Sequence, residues 1–155
     1  MSNLDSAVET ALTQVRADLL SSIVGTGNYY YTLVEVHRDV VEKDTVMSPG
    51  VIMMPGRVVH SANRQASNNR RFLTVPLTLA GVLKCGNTDI TKDRALNALG
   101  ADILLAMTSK ANILHSNTVL NTRFEGMETV HTPDEILGIV LLDFELDVHN
   151  TWDAP

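Results

Sequence analysis

The chain has 155 residues, a length that fits one globular domain over residues 1–155. Its composition, with 45% hydrophobic and 19% charged residues, excludes a disordered protein. Its longest apolar runs, such as Ile139–Leu142, are too short to cross a bilayer, and its single cysteine, Cys85, excludes an intramolecular disulfide and a cysteine-built zinc site. The net charge of −6 excludes a general attraction to nucleic acid, and the N-terminus lacks the basic start of a secretory signal, which favours folding in the cytoplasm.

The first part of the chain is predicted to form a helix and then a strand. Apolar residues recur at the three- and four-residue spacing of an amphipathic helix at Leu4, Val8, Leu12, Val15, Leu19 and Ile23. Ser6 and Glu9 have the spacing of a capping box near its start, and Gly25 and Gly27 are expected to end it. Aromatic and β-branched residues then predict a strand over Tyr29–His37.

Two polar loops are expected on either side of a short strand. The strand is predicted over Val51–Met54, between two prolines, and Val58 and Val59 extend it after a bend. The loops cover about 38–50 and 57–71, and the second is long enough to indicate a function or an interface.

A long strand follows the second loop. Its alternating residues place one apolar face at Leu73, Val75, Leu77 and Leu79. Thr74 and Thr78 lie on the other face. Since Pro76 has no backbone N–H to donate, the strand is predicted to run along a sheet edge or to bulge there.

The second half is predicted to contain one helix and two strands. The helix begins near Thr91, after a turn at Gly86, and carries an apolar stripe at Leu96, Leu99, Ile103 and Met107. A strand is expected over Thr118–Glu125. In the last strand, Leu137–His149, apolar and polar residues alternate with a period of two.

These elements predict a two-layer α+β domain. The order α-β-β-β-α-β-β leaves two helices with apolar stripes, which pack on one face of a mostly antiparallel sheet of four to five strands. The segment Thr132–Glu135 has the features of a helix start, but the strict alternation after Leu141 favours a strand there.

Charge is divided unevenly along the chain. The segment Arg57–Arg71 contains no acid and has four arginines, Arg57, Arg64, Arg70 and Arg71. The segment Asp134–Pro155 contains six acids and no lysine or arginine. Each segment is typical of a solvated surface. Alternatively, the basic segment of one protein molecule contacts the acidic segment of a neighbouring copy of the same protein. The arginines are candidates for contacts with DNA phosphates. No aromatic residue lies between them, so stacking on DNA bases is not indicated.

The acidic face of the last strand is the strongest candidate for a site. It consists of Asp143, Glu145, Asp147 and His149, whose oxygens suit Mg²⁺ or Ca²⁺. Same-face side chains on one strand stand roughly 6 to 7 Å apart, so one ion would need ligands from a second strand. We therefore expect a solvent-facing acidic stripe, with a metal site as the alternative.

Signatures of catalysis and of cofactor binding are missing from the sequence. The five histidines have no metal-ligand spacing, and no GxSxG, phosphate-loop or GxGxxG pattern occurs in a suitable context. We therefore expect no catalytic residue, no cofactor and no metal.

The layout of the elements resembles the tail-terminator and tail-completion (neck) proteins of long-tailed bacteriophages. The segments that carry the resemblance, which covers nearly the whole chain, are Tyr29–Val36, Pro49–Pro55, Arg70–Leu79, Ala95–Leu99, Thr122–Gly126 and Asp153–Pro155. The family has no catalytic residues.

The resemblance implies a structural virion protein and not an enzyme. It implies a homohexameric ring that caps the tail tube, ends its polymerisation, joins the tail to the neck or head-completion protein and lets double-stranded DNA pass. The protein would belong to the virion, in its tail or neck, and to the host cytoplasm during assembly, without a membrane partner.

Two uses of the charged segments fit a ring. Head-to-tail contacts need two different patches, and the arginine loop can meet Asp143, Glu145 and Asp147 of the next copy. Alternatively, those acids line the channel and keep DNA from adhering. Other functions stay open: a neck ring or tail-tube subunit, a small metal-binding or enzymatic domain, and a host interaction domain.

Overall fold

The computed structural model describes residues 3–25, 27–38, 46–60, 70–84, 89–109, 119–131 and 137–151. The elements in chain order are α1 (Asn3–Ser22), β1 (Glu35–His37), β2 (Gly50–Pro55), β3 (Val59–His60), β4 (Arg70–Lys84), α2 (Asp89–Thr108), β5 (Val119–His131) and β6 (Leu137–Thr151). Most of loop 57–71, the turn at Gly86 and the segment Thr132–Glu135 lie outside the described residues.

The strands form one sheet in the order β1-β2-β4-β6-β5, and the two-residue β3 pairs with β4 beside this path. Only β1 and β2 are parallel to each other; the remaining pairs are antiparallel. The predicted α+β class and element order are confirmed, with β3 as the extension expected from Val58 and Val59 after a bend.

The core lies between the helices and one face of the sheet. Both helices bury the apolar stripes that their spacing predicts, and each fully buried side chain of this size stabilises the fold by about 2 kcal/mol. The sheet contributes alternate residues of its central strands. Buried members include Leu12, Val15, Leu19, Ile23, Leu96, Leu99, Ile103, Met107, Val75, Leu77, Leu79, Val140, Leu142, Phe144 and Leu146.

The other face of the sheet is apolar at one end and polar at the other. At the apolar end, Val46 and Ile52 pack with Ala80 and Val82, and the partly buried residues Leu137, Ile139 and Leu141 join them. Further along β6, the same face carries Asp143, Glu145 and Asp147. Any site formed by these acids therefore lies on the face opposite to the helices.

Pro76 lies in a central strand, so the edge position predicted for it is wrong. β4 pairs with β6 along its whole length and with β2 and β3 on its other side. The Pro76 carbonyl accepts a 2.7 Å hydrogen bond from the Gly56 N–H, just after β2 ends. In an antiparallel strand the N–H and C=O of one residue point to the same neighbour, so the proline nitrogen faces the break between β2 and β3, where no donor is needed.

The strand predicted over Tyr29–His37 is shorter in the structure and begins at Glu35. The reason is that its first backbone donors have other acceptors. The Asp102 carboxylate in α2 accepts the N–H groups of Tyr30, at 2.9 and 3.1 Å, and of Tyr31, at 2.8 Å. The N–H of Leu33 donates to the carbonyl of Ile23. This segment is therefore held against the helices instead of joining the sheet.

Two further boundaries differ from the prediction. α1 ends at Ser22, and Gly27 then adopts a φ of 99°, a left-handed conformation that glycine tolerates best. β5 continues to His131, well past the end expected near Glu125. The longer β5 becomes the outermost strand on its side of the sheet.

Candidate functional site

The three acids of β6 differ in exposure although they share one face of the sheet. Asp143 is exposed and Glu145 half-buried, whereas Asp147 is only 2% exposed. A uniformly solvent-facing acidic stripe was therefore the wrong expectation for Asp147. The side chain of His149 is outside the described set.

Arg123 of β5 provides the cation that pairs with the buried Asp147. It lies opposite Glu145 in the register of β5 and β6. Its Nη2 donates to the Glu145 carboxylate at 2.7 Å, and its Nη1 donates to the Asp147 carboxylate. These bonds, the one to Glu145 first and the one to Asp147 second, raise the pKa of the Arg123 guanidinium and keep it charged.

Neutral donors complete the arrangement. The Thr74 hydroxyl donates to Asp147 at 3.2 Å, and the Asn121 amide lies 3.5 Å from the same carboxylate. The Thr78 hydroxyl donates to Asp143 at 2.6 Å. We call Arg123, Asp143, Glu145 and Asp147, with these neutral donors, the outer-face network. It joins three neighbouring strands, β4, β6 and β5, through side chains.

The outer-face network is suited to holding strands together more than to chemistry. The Arg123 guanidinium pairs with two of the three carboxylates, Glu145 and Asp147, and Asp143 accepts a bond from the neutral Thr78 hydroxyl instead. Among the described residues, no three His, Cys, Asp or Glu side chains lie close enough to hold a metal ion. No helix in the described ranges is long and apolar enough to cross a membrane.

Sequence reasoning missed Arg123, although a signal for it was present. Arg123 is the only lysine or arginine in the segment Val119–His131, and residues at every second position of a strand share a face. Pairing of this segment with the acidic strand places the guanidinium between two carboxylates. The pairing partner of β5 is a property of the whole fold, so the sequence did not show it.

The predicted arginine loop is only partly described. Arg57 lies in the exposed turn after β2, and the backbones of Arg70 and Arg71 begin β4 opposite Thr151 and Asn150 of β6. Arg64 lies outside the described residues. Use of Arg57, Arg64, Arg70 and Arg71 as an interface or as DNA contacts stays a prediction, as does use of Asp143, Glu145 and Asp147 as an interface or a channel lining.

Exposed apolar side chains lie at both lateral edges of the sheet. On β5, Phe124, Met127 and Val130 are 41%, 44% and 43% exposed, although the Phe124 ring also packs against Phe144 at a centroid distance of 5.5 Å. Beside β4, Val58 and Val59 are 38% and 45% exposed. Clusters of this kind at sheet edges are typical of surfaces that contact another protein.

Comparison with solved structures finds a likeness of fold. The fold is similar to a chain from the virion of a native gene transfer agent particle, with a TM-score of 0.56 and 15% sequence identity. The match covers 90% of this chain and 92% of that chain. No protein-family model matches the sequence, and no curated protein matches it. At this identity the likeness shows a shared fold.

Proposed function

We propose that this protein is a structural subunit of a phage-like virion and acts as its tail terminator. The observation that carries the virion part of the proposal is the fold match to a gene transfer agent virion chain, which spans nine-tenths of both chains. The terminator role rests on the resemblance of the element layout to that family. A match of this extent includes the arrangement of both helices and the sheet, and is not confined to one common motif.

The chemistry of the described surface supports a structural role over an enzymatic one. Glu145 and Asp147 share Arg123, and Asp143 accepts a bond from Thr78, so these carboxylates have partners within the fold. A general base or a metal ligand needs an available lone pair facing a cavity or an ion. The exposed apolar edges, by contrast, suit contacts between subunits.

As a terminator, the protein would form a hexameric ring on the finished tail tube. Its partners would be further copies of itself, the tail-tube protein below and the neck or head-completion protein above. DNA would pass through the central opening without a lasting contact. The ring would belong to the tail or neck of the virion after assembly in the host cytoplasm.

Control of tube length tests this function directly. The tail-tube protein of the same phage-like particle would be polymerised with and without the purified chain, and tubes would be measured by electron microscopy. A terminator shortens the tubes in proportion to its concentration and appears as extra density at one end. Unchanged tubes, together with binding to isolated heads, would instead assign a head-completion ring. Co-polymerisation along the whole tube would assign a tube subunit.

A further inference from the structure

β5 leaves one edge of the sheet open. Among the described residues it pairs only with β6, and its 13 residues span roughly 40 Å. It contains neither proline nor lysine, and its protection from pairing comes from irregularities such as the bulge at Glu125 and from charged side chains. An edge of this length would invite uncontrolled association unless a specific partner covers it.

The side chains along this edge are apolar and acidic. Phe124, Met127 and Val130 are each more than 40% exposed. Glu125, at a bulge in the pairing with β6, and Glu128 are exposed beside them. Within the described part of the chain neither glutamate has an ion-pair partner. We call residues 124–130 the β5 edge.

The opposite side of the sheet carries the complementary combination. Val58 and Val59 are exposed, and Arg57, next to them, is exposed and forms no ion pair with another described residue. Among the described strands β3 pairs only with β4, so no described strand covers its outer side. We call residues 57–59 the β3 edge; the predicted arginine loop continues directly from it.

The two edges of one molecule cannot meet each other. β4 and β6 lie between them in the sheet, and the edges face in opposite directions. Contact between a basic apolar edge and an acidic apolar edge therefore requires a second copy. Such a contact joins two different surfaces, and repeated head-to-tail contacts of this kind form a ring when the rotation between successive copies closes, or an open filament when it does not.

We propose that the β5 edge of each copy binds the β3 edge of the next, with Glu125 and Glu128 facing Arg57. This inference rests on the proposed ring and identifies its subunit contact. The sequence-based hypothesis placed the acidic half of that contact on Asp143, Glu145 and Asp147 of β6, whereas this proposal places it on β5. The reason is that Glu145 and Asp147 already bind Arg123 within the chain, and breaking that pair would leave Asp147 buried without its cation.

Charge reversal and charge exchange test the contact. Glu128→Lys alone and Arg57→Glu alone each place like charges opposite each other, so the concentration at which rings form should rise about tenfold or more. The chain that carries both changes again has opposite charges at positions 128 and 57, while Glu125 is left opposite an acid. It should therefore assemble at a concentration between that of the wild type and those of the single variants. Sedimentation velocity over a concentration series and electron microscopy measure assembly.

Asp143→Lys is the matched control, because it makes the same charge change at an exposed acid that lies on neither edge. Circular dichroism and thermal melting confirm that each variant folds. Loss of assembly by Asp143→Lys with normal assembly by Glu128→Lys would overturn the proposal in favour of the β6 acids. If the wild type forms rings and both edge variants form them at the same concentration, the proposed contact is wrong but the ring function still stands. A wild-type chain that forms no ring, alone or on tube ends, would overturn both.

Discussion

Arg123 is the residue that makes the acidic strand compatible with a folded domain. It lies between Glu145, which is half-exposed, and Asp147, whose side chain is 3% exposed. The Arg123–Glu145 and Arg123–Asp147 pairs therefore differ in their contribution to the stability of the fold. An ion pair with a half-exposed group is screened by water, whereas a buried carboxylate without its cation retains a large desolvation cost.

Replacement of Arg123 by methionine should lower the free energy of unfolding by about 2 to 3 kcal/mol, because Asp147 would keep only the Thr74 hydroxyl and the Asn121 amide as donors. Methionine preserves much of the apolar packing of the side chain. Urea denaturation followed by circular dichroism measures the change.

The matched comparison is Glu145→Gln, which removes the half-exposed charge and should cost about 0.5 kcal/mol or less. An equal loss of stability in both variants would show that Asp147 does not depend on Arg123.

Gly81 is a second position at which a single residue is critical for packing, because its missing Cβ leaves room for neighbouring core side chains. A Cβ there would lie 2.9 Å from Val140 Cγ1, closer than real Cβ contacts, and 3.0 Å from both Ile103 Cδ1 and Leu99 Cδ2, tighter than most real contacts. Gly81→Ala should therefore destabilise the protein by about 1 to 3 kcal/mol. Gly126→Ala, with no atom within 4 Å of its Cβ, is the control and should be near neutral. Thermal melting of both variants distinguishes overpacking from a general cost of losing glycine.

At the scale of elements, Asp102 determines that the segment after α1 does not become a strand. Its buried carboxylate accepts the N–H groups of Tyr30 and Tyr31 and joins this segment to the middle of α2. Asp102→Ala leaves both donors without that acceptor and should cost about 2 to 4 kcal/mol. Asn97→Ala, on an exposed part of α2, should change stability by less than about 0.5 kcal/mol. Hydrogen exchange at Tyr30 and Tyr31 should rise only in the first variant, and unchanged exchange there would refute the role given to Asp102.

The elements that the sequence predicts well are those with strong local periodicity. α1, α2 and β6 repeat apolar residues over many positions, so their type and approximate bounds follow from spacing alone. Tyr29–Val34 and Pro76 were mispredicted for a different reason. Their backbone groups are matched by Asp102 and Gly56, contacts across the fold that no local pattern shows.

The candidate site was predictable only in part for the same reason. The period-two pattern of β6 correctly placed Asp143, Glu145 and Asp147 on the face away from the helices. Which of them is buried depends on Arg123, in a strand whose neighbour the sequence does not reveal. The open β5 edge was equally hidden, because an edge is defined by the order of strands in the sheet.

At the scale of the whole molecule, two unlike open edges on opposite sides of one sheet favour assembly. A single copy leaves apolar side chains exposed on both edges, and a closed ring of copies covers them all without free ends. A fold shared with a virion chain and a surface of this kind are consistent with each other. Portal, capsid and tail-tube genes beside this one would add independent support.

Imaging of the purified wild-type protein tests the ring most directly. Electron microscopy of negatively stained samples, collected over a range of concentrations and also with preformed tail tubes, should show sixfold rings with a central opening wide enough for double-stranded DNA. A protein that stays monomeric at the highest concentration and forms no ring on tube ends would contradict the assignment.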